Sequence, residues 1–396
     1  MKTVADYNFK GKKVIVRVDF NVPLNHNRQV TDDTRIRESL PTINKIINDG
    51  GSVILISHLG RPKGGFEMDY SLTPIVPVLT KYLNKPIVFT RDLYGPRTVD
   101  ECGKLQPGDV VLLENFRFYP EEEDADEEFA KKIASLGDAY VNDAFATSHR
   151  AHMSTFTLAK FFPNDKYFGL LLAHEVNNLN KILHNAQHSF TAIIGGAKVS
   201  TKLAVIKNLL GKIDNLIIGG GMRFTFAKAL NGKIGNSLYE EKNIKDATEI
   251  INGTIQHGIN LYIPEDSVVA DAFSDESQTK ICSTFDIPDG WEGMDIGPKS
   301  IRKCAEIINS SQTVLWNGPL GVFEMSNFRK GTKSVAIACA NANMKGAFTV
   351  IGGGDSIAAI NMFDLADQFS FVSTGGGAML EYIEGRTLPG VQALLD

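Results

Sequence analysis

Arginine and histidine side chains follow several apolar runs in the first half of the chain. These runs lead into the segments RVDFN, SHLGR, ENFRF and VNDAFATSHRAH, and a further arginine lies in TRIR. Among the cationic side chains of these segments are Arg35, Arg61, Arg117 and Arg150, together with His58, His149 and His152. A guanidinium presents five donors in a planar fork that fits a carboxylate or phosphate. A single arginine would more simply form a surface ion pair, but several that converge from different strand ends predict a site for a small polyanion.

Two other interpretations of polar residues in this half compete with anion binding. His149 and His152, with Asp143, have an HxxH spacing that occurs in zinc sites, but no third soft ligand lies nearby. Anion binding is therefore favoured over a metal. The acidic run at residues 121–128 is expected to be a solvated helix N-terminus rather than a metal site, because acidic side chains stabilise that end of a helix.

Glycines take the corresponding positions in the second half. Apolar runs lead there into IIGGAKVSTK, IIGGGMRF, WNGPLGVFE, IGGGDS and STGGGA. Consecutive backbone amides after a strand can hold phosphate oxygens, and a helix that begins there adds its positive end. Lys198 and Lys202 would share one helix face if a helix begins near Gly196. Asp355 could hold Mg²⁺ beside such phosphates.

The apolar runs themselves predict the elements that position these residues. They lie at residues 14–18, 53–57, 110–113, 139–141, 191–194, 216–218, 313–316, 348–351 and 369–372. Near-continuous hydrophobicity indicates strands covered on both faces, and helix-like stretches between them, such as 126–136 and 200–210, indicate parallel sheets. Ligands bind beyond the carboxyl ends of such strands. The different residues at those ends predict two sheets with two different ligands, joined by a helix at 169–184 in which Leu172, Val176, Leu179 and Leu183 repeat at helical spacing.

Composition narrows the class of protein. The chain has 396 residues, 41 Lys plus Arg and 46 Asp plus Glu, and a formal net charge of −5, which argues against a general nucleic-acid binder. No long uncharged apolar run predicts a membrane span, and no apolar core near the N-terminus predicts a signal peptide. The four cysteines are far apart and are expected to be free thiols in a reducing compartment, so a cytoplasmic protein is predicted.

Common nucleotide motifs are missing. The sequence has no GxxxxGK[ST] segment, no GxGxxG after a predicted strand and no HRD and DFG pair. These absences argue against a P-loop protein, a standard dinucleotide-binding domain and a protein kinase, respectively.

Nine of the motifs, in order, resemble those of the phosphoglycerate kinase family: RVDFNVP, SHLGRP, ENFRF, VNDAFATSHRAH, GGAKVSTK, GGGM, WNGPLGVFE, IGGGDS and STGGGA. The resemblance runs from about residue 12 to 389. It implies an α/β protein of two lobes, each a Rossmann-like parallel sheet with helices on both faces. It also implies a monomer that binds its two substrates on opposite sides of a cleft. The implied reaction is the reversible transfer of a phosphoryl group between 1,3-bisphosphoglycerate and ADP.

The domain boundaries expected on this basis are a 3-phosphoglycerate-binding domain at 1–168, the linking helix at 169–184 and a nucleotide-binding domain at 185–384. A tail at 385–396 would return to the first domain. Direct in-line transfer with closure of the lobes is implied, and hinges are expected near 168–170, 184–189 and 373–377. The expected partners are small-molecule substrates alone, without nucleic acid or membrane.

The resemblance also assigns residues to the two substrates. The acid substrate would meet Asp19, Phe20, Asn21, Arg35, His58, Leu59, Gly60, Arg61, Arg117 and Arg150. The nucleotide would meet Lys198, Lys202, Glu324, Gly353, Gly354, Asp355 and Ser356. Asp355 would hold the Mg²⁺ that accompanies ATP or ADP. Arg35, Lys198, Gly353 and Gly354 would act on the phosphoryl group in flight, because a carboxylate substrate needs no general base at neutral pH.

Departures and rival functions remain at this point. Arg223 stands where the family has a small residue, and it would either contact the nucleotide side or point to solvent; Ser356 and Phe116 replace a common Thr and a common aliphatic residue. One rival is a nicotinamide-dependent dehydrogenase, against which the missing GxGxxG argues. The other is a non-catalytic nucleotide-binding scaffold, against which the intact set of Arg35, Lys198 and Asp355 argues.

Overall fold

The apolar runs form two separate parallel sheets in the computed structural model, which describes residues 1–396. The chain divides into two units. The first comprises Met1–Asn177 and Thr387–Asp396, and the second comprises Asn178–Arg386. The predicted class of two parallel α/β sheets is therefore confirmed.

The sheet of the first unit has six parallel strands in the order β3-β4-β2-β1-β5-β6. The strands are β1 (Lys13–Arg17), β2 (Ser52–Ile56), β3 (Val88–Thr90), β4 (Val110–Leu113), β5 (Ala139–Asn142) and β6 (Lys166–Phe168). The helices are α1 (Thr34–Asn48), α2 (Ile75–Leu83), α3 (Pro96–Gly103), α4 (Pro120–Glu123), α5 (Glu127–Ala134) and α6 (Leu170–His184). All residues of β2 and β4 are buried, as expected of strands covered on both faces.

The helix α6 begins in the first unit and continues past the boundary after Asn177. Its first turn is fixed by Asp143, whose Oδ1 accepts hydrogen bonds from the Leu171 and Leu172 amides at 2.9 and 3.2 Å. Burial raises the pKa of Asp143 to about 7. The carboxylate that the zinc interpretation would need is thus engaged by a helix N-terminus.

The second unit has a six-stranded parallel sheet in the order β10-β8-β7-β15-β16-β17. Its strands are β7 (Phe190–Ile194), β8 (Asn215–Ile218), β9 (Lys233–Ile234), β10 (Asn260–Tyr262), β11 (Asp266–Ala270), β12 (Thr279–Ser283), β13 (Asp286–Ile287), β14 (Glu292–Ile296), β15 (Thr313–Asn317), β16 (Phe348–Gly352) and β17 (Phe371–Val372). Its helices are α7 (Leu203–Leu209), α8 (Arg223–Ala229), α9 (Ile244–Gln256), α10 (Pro298–Asn309), α11 (Lys330–Met344), α12 (Gly354–Met362) and α13 (Gly377–Ile383).

An antiparallel sheet in the second unit has no counterpart in the sequence prediction. It has the order β12-β11-β14, and β9 and β13 form a separate parallel pair. Most of β12 is exposed, so its sequence lacks the apolar run that marks a buried strand.

The C-terminal helix α14 (Pro389–Leu395) belongs to the first unit. The Gly390 amide donates to the Ser148 carbonyl at 2.8 Å, and the Gly390 carbonyl accepts from Asn142 Nδ2 at 3.3 Å. Val391 and Leu394 are buried. Gly390 suits this contact because a Cβ there would lie 3.0 Å from Ser148.

Short helical turns complete both units. They lie at Val4–Asp6, Met68–Tyr70, Phe116–Phe118, Phe145–Thr147, Met153–Thr157, Leu158–Phe161, Glu241–Asn243, Ser326–Phe328 and Ala366–Gln368. All four cysteines are free thiols. None of the helices combines the length and the apolar character that a membrane span requires.

Candidate functional site

Three of the predicted arginines line one cavity in the first unit. The cavity has a volume of about 500 Å³, and we call it the arginine cavity. Its lining residues are Arg61, Pro62, Lys63, Gly64, Arg117, Tyr119, Pro120, Glu123 and Arg150. Arg61 is exposed, whereas Arg117 is buried and its Nη1 donates to the Gly60 carbonyl at 3.1 Å. The structure therefore brings together three of the arginines that were assigned to the acid substrate.

Strand topology explains why these three arginines meet. Arg61, Arg117 and Arg150 follow β2, β4 and β5, whose carboxyl ends lie along one edge of the same sheet. Asn115 fixes two of the loops, because its Nδ2 donates to the Leu59 carbonyl at 2.7 Å and its Oδ1 accepts from the Arg117 amide at 3.0 Å. A buried amide side chain thus holds the backbone from which Arg117 projects.

A second group of predicted substrate residues surrounds Asp19, at the end of β1. Arg35 Nη1 donates to Asp19 Oδ2 at 2.5 Å, and His58 Nδ1 lies 3.8 Å from Asp19 Oδ1. Asn21 Oδ1 accepts from the Gly60 amide at 2.9 Å, which links this group to the loop that carries Arg61. None of Asp19, Asn21, Arg35 and His58 lines the arginine cavity itself.

Phe20 and Leu59 differ from the other predicted substrate residues. Both side chains are buried and pack in the hydrophobic core of the first unit. Neither residue presents its side chain to a ligand, and the Phe20 amide donates to Ser57 Oγ at 2.9 Å.

A buried hydrogen-bond network behind the cavity was missed by the sequence prediction. Arg17 Nε donates to Ser154 Oγ at 2.9 Å, and Ser154 Oγ donates to Glu122 Oε1 at 2.6 Å. Arg17, Ser154 and Glu122 are at most 1% exposed. The expectation that the acidic run is entirely solvated is therefore wrong at Glu122, which is buried because Ser154 and nearby Arg17 satisfy it. One feature of the sequence could have indicated this network: Arg17 lies at the end of β1, as the other arginines follow strand ends.

Arg17 also determines which nitrogen of His58 carries the proton. Arg17 Nη2 lies 3.3 Å from His58 Nδ1. Because a guanidinium only donates, Nδ1 accepts and the proton is on Nε2. Burial, followed by the nearby positive charge of Arg17, lowers the pKa of His58 well below its usual range.

Burial and neighbouring arginines likewise lower the pKa of His152 to about 4. Both histidines are therefore neutral at pH 7. The arginines supply the positive charge of this region.

The glycine motifs of the second unit line another cavity, with a volume of about 240 Å³, which we call the glycine cavity. Its lining residues are Gly196, Ala197, Gly220, Gly221, Leu238, Phe273, Glu292, Gly293, Met294, Pro319, Gly321, Val322, Glu324 and Asp355. Most of these side chains are apolar, which is common in cavities that bind small molecules. Burial raises the pKa of Glu292 at this cavity.

Three glycine-containing loops interlock at the wall of the glycine cavity. The Gly196 amide donates to the Pro319 carbonyl at 2.9 Å, and the Gly220 amide donates to the Leu320 carbonyl at 3.2 Å. Gly220 has a φ of +60°, and a Cβ there would lie 2.3 Å from the Gly196 oxygen. Glycine is required at this position both for conformation and for close approach.

The two predicted lysines occupy different positions. The helix after the first glycine motif begins at Leu203, so the condition for a shared helix face, a start near Gly196, is not met and Lys198 lies outside the helix. The glycines and the turn at residues 199–202 delay the helix. Lys198 is exposed, whereas the half-buried Lys202 donates through Nζ to Asn317 Oδ1. Burial lowers the pKa of Lys202, and Asp355 opposes that effect.

Asp355 is exposed in the first turn of α12 and lines the glycine cavity, as does the exposed Glu324. Gly353 has a φ of +96° and precedes the helix, with Gly354 as its first residue. The Ser356 hydroxyl is buried and accepts from the Gly318 amide at 2.6 Å. Ser356 therefore supports the neighbouring loop with its side chain.

Arg223 fits neither of its two expected placements. Its side chain is only 1% exposed, and it does not line the glycine cavity. Its guanidinium instead contacts the backbone of the loops behind the cavity wall. No signal in the sequence indicates this placement, because the small residue that the family has at this position offers no precedent for a buried cation.

Comparison with known proteins agrees with the motifs. The family model described as phosphoglycerate kinase matches residues 4–386. The chain is 49% identical to the phosphoglycerate kinase of Porphyromonas gingivalis over 99% of both chains. It is 48% identical to that of Herpetosiphon aurantiacus over 100% of this chain and 99% of the relative.

Solved structures agree as well. The structure of phosphoglycerate kinase from Coxiella burnetii is similar with a TM-score of 0.91 at 38% identity, covering 99% of this chain and 98% of the other. The structure of phosphoglycerate kinase from Pyrococcus horikoshii is similar with a TM-score of 0.83 at 30% identity, covering 100% of this chain and 98% of the other. Because the family model matches nearly the whole chain and two relatives are 49% and 48% identical to it, the chain belongs to the phosphoglycerate kinase family.

Proposed function

We propose that the protein catalyses the reversible transfer of a phosphoryl group between 1,3-bisphosphoglycerate and ADP, giving 3-phosphoglycerate and ATP. The observation that supports this most strongly is the pairing of two unlike cavities in a chain of this family. One is lined by three arginines and the other by glycine loops with apolar side chains. The first suits a small acid with a phosphate, and the second suits a nucleotide.

In the first unit, the arginine cavity would hold the non-reacting phosphate of the acid. Arg61, Arg117 and Arg150 offer guanidinium donors there, and the buried Arg117 is already fixed through the Gly60 carbonyl. Asp19 and Asn21 would orient the substrate hydroxyl, and His58 Nε2–H would donate a hydrogen bond. The backbone of Phe20, Leu59 and Gly60 would complete the contact.

Arg35 would stabilise the phosphoryl group in flight. Its guanidinium is held by Asp19 but remains partly exposed, with 36% of the side chain accessible. One edge of the fork can therefore face a ligand while the other is fixed. Preorganised donors of this kind stabilise charge that develops in the transition state.

In the second unit, the glycine cavity would hold the nucleoside, with Glu324 at the ribose. Lys202 and the amides at Gly353 and Gly354 would bind the nucleotide phosphates, and the backbone of Ser356 would follow in the same turn. The exposed Lys198 is free to reach the transferring group. The acid is already a carboxylate at neutral pH, so no general base is needed.

Asp355 fits a Mg²⁺ that arrives with the nucleotide. It is an exposed carboxylate beside the predicted phosphate amides, and no cluster of three or more His, Cys, Asp or Glu side chains could hold a metal ion alone. Mg²⁺ commonly takes one or two carboxylates and completes its shell with phosphate oxygens and water. When bound, it would neutralise phosphate charge.

Direct in-line transfer requires the reacting atoms to come within about 3–3.5 Å. We propose that the two units close around both ligands, with hinges near 168–170, 184–189 and 373–377. Small-angle scattering of the apo, binary and ternary forms tests this. Only the ternary form should be compact, and a binary form of equal compactness would contradict two-ligand closure.

We further propose a cytoplasmic monomer without nucleic-acid or membrane partners. The deciding experiment for the function is a coupled assay of ATP turnover with and without 3-phosphoglycerate. Turnover that depends on this acid is expected. Turnover without it, or none with it, would overturn the proposal.

A further inference from the structure

Arg223 occupies the junction of three structural segments in the second unit. It is the first residue of α8 and is separated from the glycine loop Gly219–Gly221 by Met222 alone. Its Nη1 donates to the carbonyls of Gly220 at 2.6 Å and Leu320 at 3.3 Å. Its Nη2 donates to Ser267 Oγ on β11 at 3.3 Å and to the Asp295 carbonyl on β14 at 2.9 Å. One guanidinium therefore joins two cavity loops to the antiparallel sheet.

These same segments form the wall of the glycine cavity. Gly220 and Gly221 contribute one side, and Pro319 and Gly321, on either side of Leu320, contribute another. The strand β14 contributes Glu292, Gly293 and Met294. Arg223 thus contacts all three parts of the wall from the side opposite the cavity.

The Gly220 carbonyl accepts from the Arg223 guanidinium at 2.6 Å and, at 3.4 Å, from the Arg223 amide, and the shorter of these hydrogen bonds helps to fix the direction of one peptide group. In a trans peptide the N–H points away from the C=O of the same unit. Because the Gly220 carbonyl points to Arg223, the Gly221 N–H points away from Arg223. This N–H donates to no group within the protein, and Gly221 lines the cavity.

The guanidinium remains charged in this position. Burial lowers the pKa of Arg223 to about 10, and the charge of Asp295 opposes that effect. A buried charge costs several kcal/mol unless hydrogen bonds satisfy it. The four acceptors offset part of that cost, and Arg223 also lies over the Phe224 ring at 4.2 Å.

We propose that Arg223 is a positioning residue for nucleotide binding. It holds the Gly219–Gly221 and Pro319–Gly321 loops in register against β11 and β14. In doing so it presents the Gly221 N–H to a hydrogen-bond acceptor of the nucleoside. The proposal rests on the proposed function, since it assumes that the glycine cavity takes ADP or ATP.

The test compares Arg223→Met and Arg223→Lys with the wild type, using calorimetric titration of ADP and of 3-phosphoglycerate together with steady-state kinetics. Arg223→Met should raise the Kd and KM for ADP about tenfold, leave the Kd for 3-phosphoglycerate unchanged, and keep kcat within about twofold. Arg223→Lys should give Kd and KM values for ADP between those of the wild type and of Arg223→Met, because one ammonium cannot reach all four acceptors. Arg302→Met is the matched control, since Arg302 is an exposed arginine of the same unit.

A spectroscopic measurement tests the peptide orientation separately. The Gly221 amide resonance should shift on addition of ADP to the wild type, and this shift should shrink in Arg223→Lys. If Arg223→Met does not fold, the ADP affinity of Arg223→Lys decides. A Kd at least threefold above the wild-type value supports the proposal, and a wild-type Kd overturns it.

The remaining outcomes are distinct from one another. Parallel losses of ADP affinity, 3-phosphoglycerate affinity and kcat would show a general structural role and overturn the proposal. ADP binding in the wild type with no change in folded Arg223→Met would overturn this inference alone. Failure of the wild type to bind ADP would overturn the proposed nucleotide site and this inference with it.

Discussion

The two cavities use different sources of hydrogen-bond donors. In the first unit the donors are the side chains of Arg61, Arg117 and Arg150, and Arg117 is held by the Gly60 carbonyl. In the second unit the wall consists of loops that only glycine allows to approach one another. Their Gly196 and Gly220 amides donate to neighbouring carbonyls, and the Gly221 amide donates to no group of the protein. A side-chain site is sensitive to truncation, whereas a backbone site is sensitive to the addition of a single carbon.

Both units also bury an arginine behind the cavity, and the two arginines differ in their partners. Arg17 reaches a carboxylate through Ser154 and contacts His58. Arg223 donates to three carbonyls and a hydroxyl. Arg17 Nη1 also donates to the Val18 carbonyl, so Arg17 contacts both side chains and backbone, whereas most of the acceptors of Arg223 are backbone carbonyls.

The largest effect is expected from truncation in the first unit. Arg35→Ala should lower kcat by on the order of 10² or more, because it removes charge stabilisation at the transferring group. Steady-state kinetics measures this. Arg37→Ala is the control, since Arg37 lies on the same helix but is exposed and pairs with Asp33 at 2.9 Å. A near-normal kcat for Arg35→Ala would remove Arg35 from the mechanism.

Addition of one carbon in the second unit should have the next largest effect. Gly220→Ala should lower the free energy of unfolding by about 2 kcal/mol and weaken ADP binding, because of the positive φ and the 2.3 Å approach to the Gly196 oxygen. Chemical denaturation and calorimetry measure the two effects. Gly354→Ala is the control for stability alone, since a Cβ there meets nothing within 4 Å. Equal stability of both variants would contradict the close-packed description of the loops.

Asp355→Asn should weaken ADP binding about tenfold in the presence of Mg²⁺ and much less in its absence. The substitution removes one hard anionic ligand while keeping the side-chain size. Titration calorimetry with Mg²⁺ and with a chelator separates the two conditions. An equal loss in both would mean that Asp355 shapes the loop instead of binding the metal.

The smallest effect at neutral pH is expected at His152. The folded pKa is about 4, below the ordinary value of 6.5, so the unfolded chain takes up a proton first as the pH falls. The titration of His152 therefore does not change the free energy of unfolding above pH 6.5. It lowers that free energy progressively as the pH falls from 6.5 to 4. His152→Asn should gain about 1 kcal/mol relative to the wild type at pH 5 and nothing at pH 7.5. A gain of the same size at both values would contradict the neutral histidine.

The sequence predicted the sheets better than the details of the site. Buried parallel strands are almost wholly apolar, so their positions and the residues after them could be inferred from pattern alone. The start of α7 could not be inferred in this way, because consecutive glycines permit several backbone paths before Leu203. The burial of Glu122 and Arg223 could not be predicted either. A charged residue is ordinarily exposed, and only its tertiary partners reveal that it is buried.

The position of α14 in the first unit has a consequence for synthesis on the ribosome. Residues 178–386 must be translated before Thr387–Asp396 can join the unit that was made first. At typical elongation rates, this interval lasts on the order of 10–40 s. During that time the nascent first unit lacks the helix whose Val391 and Leu394 it buries, and the surface around Ser148 is left uncovered. The unit that emerges first is thus completed only after the second unit has been made.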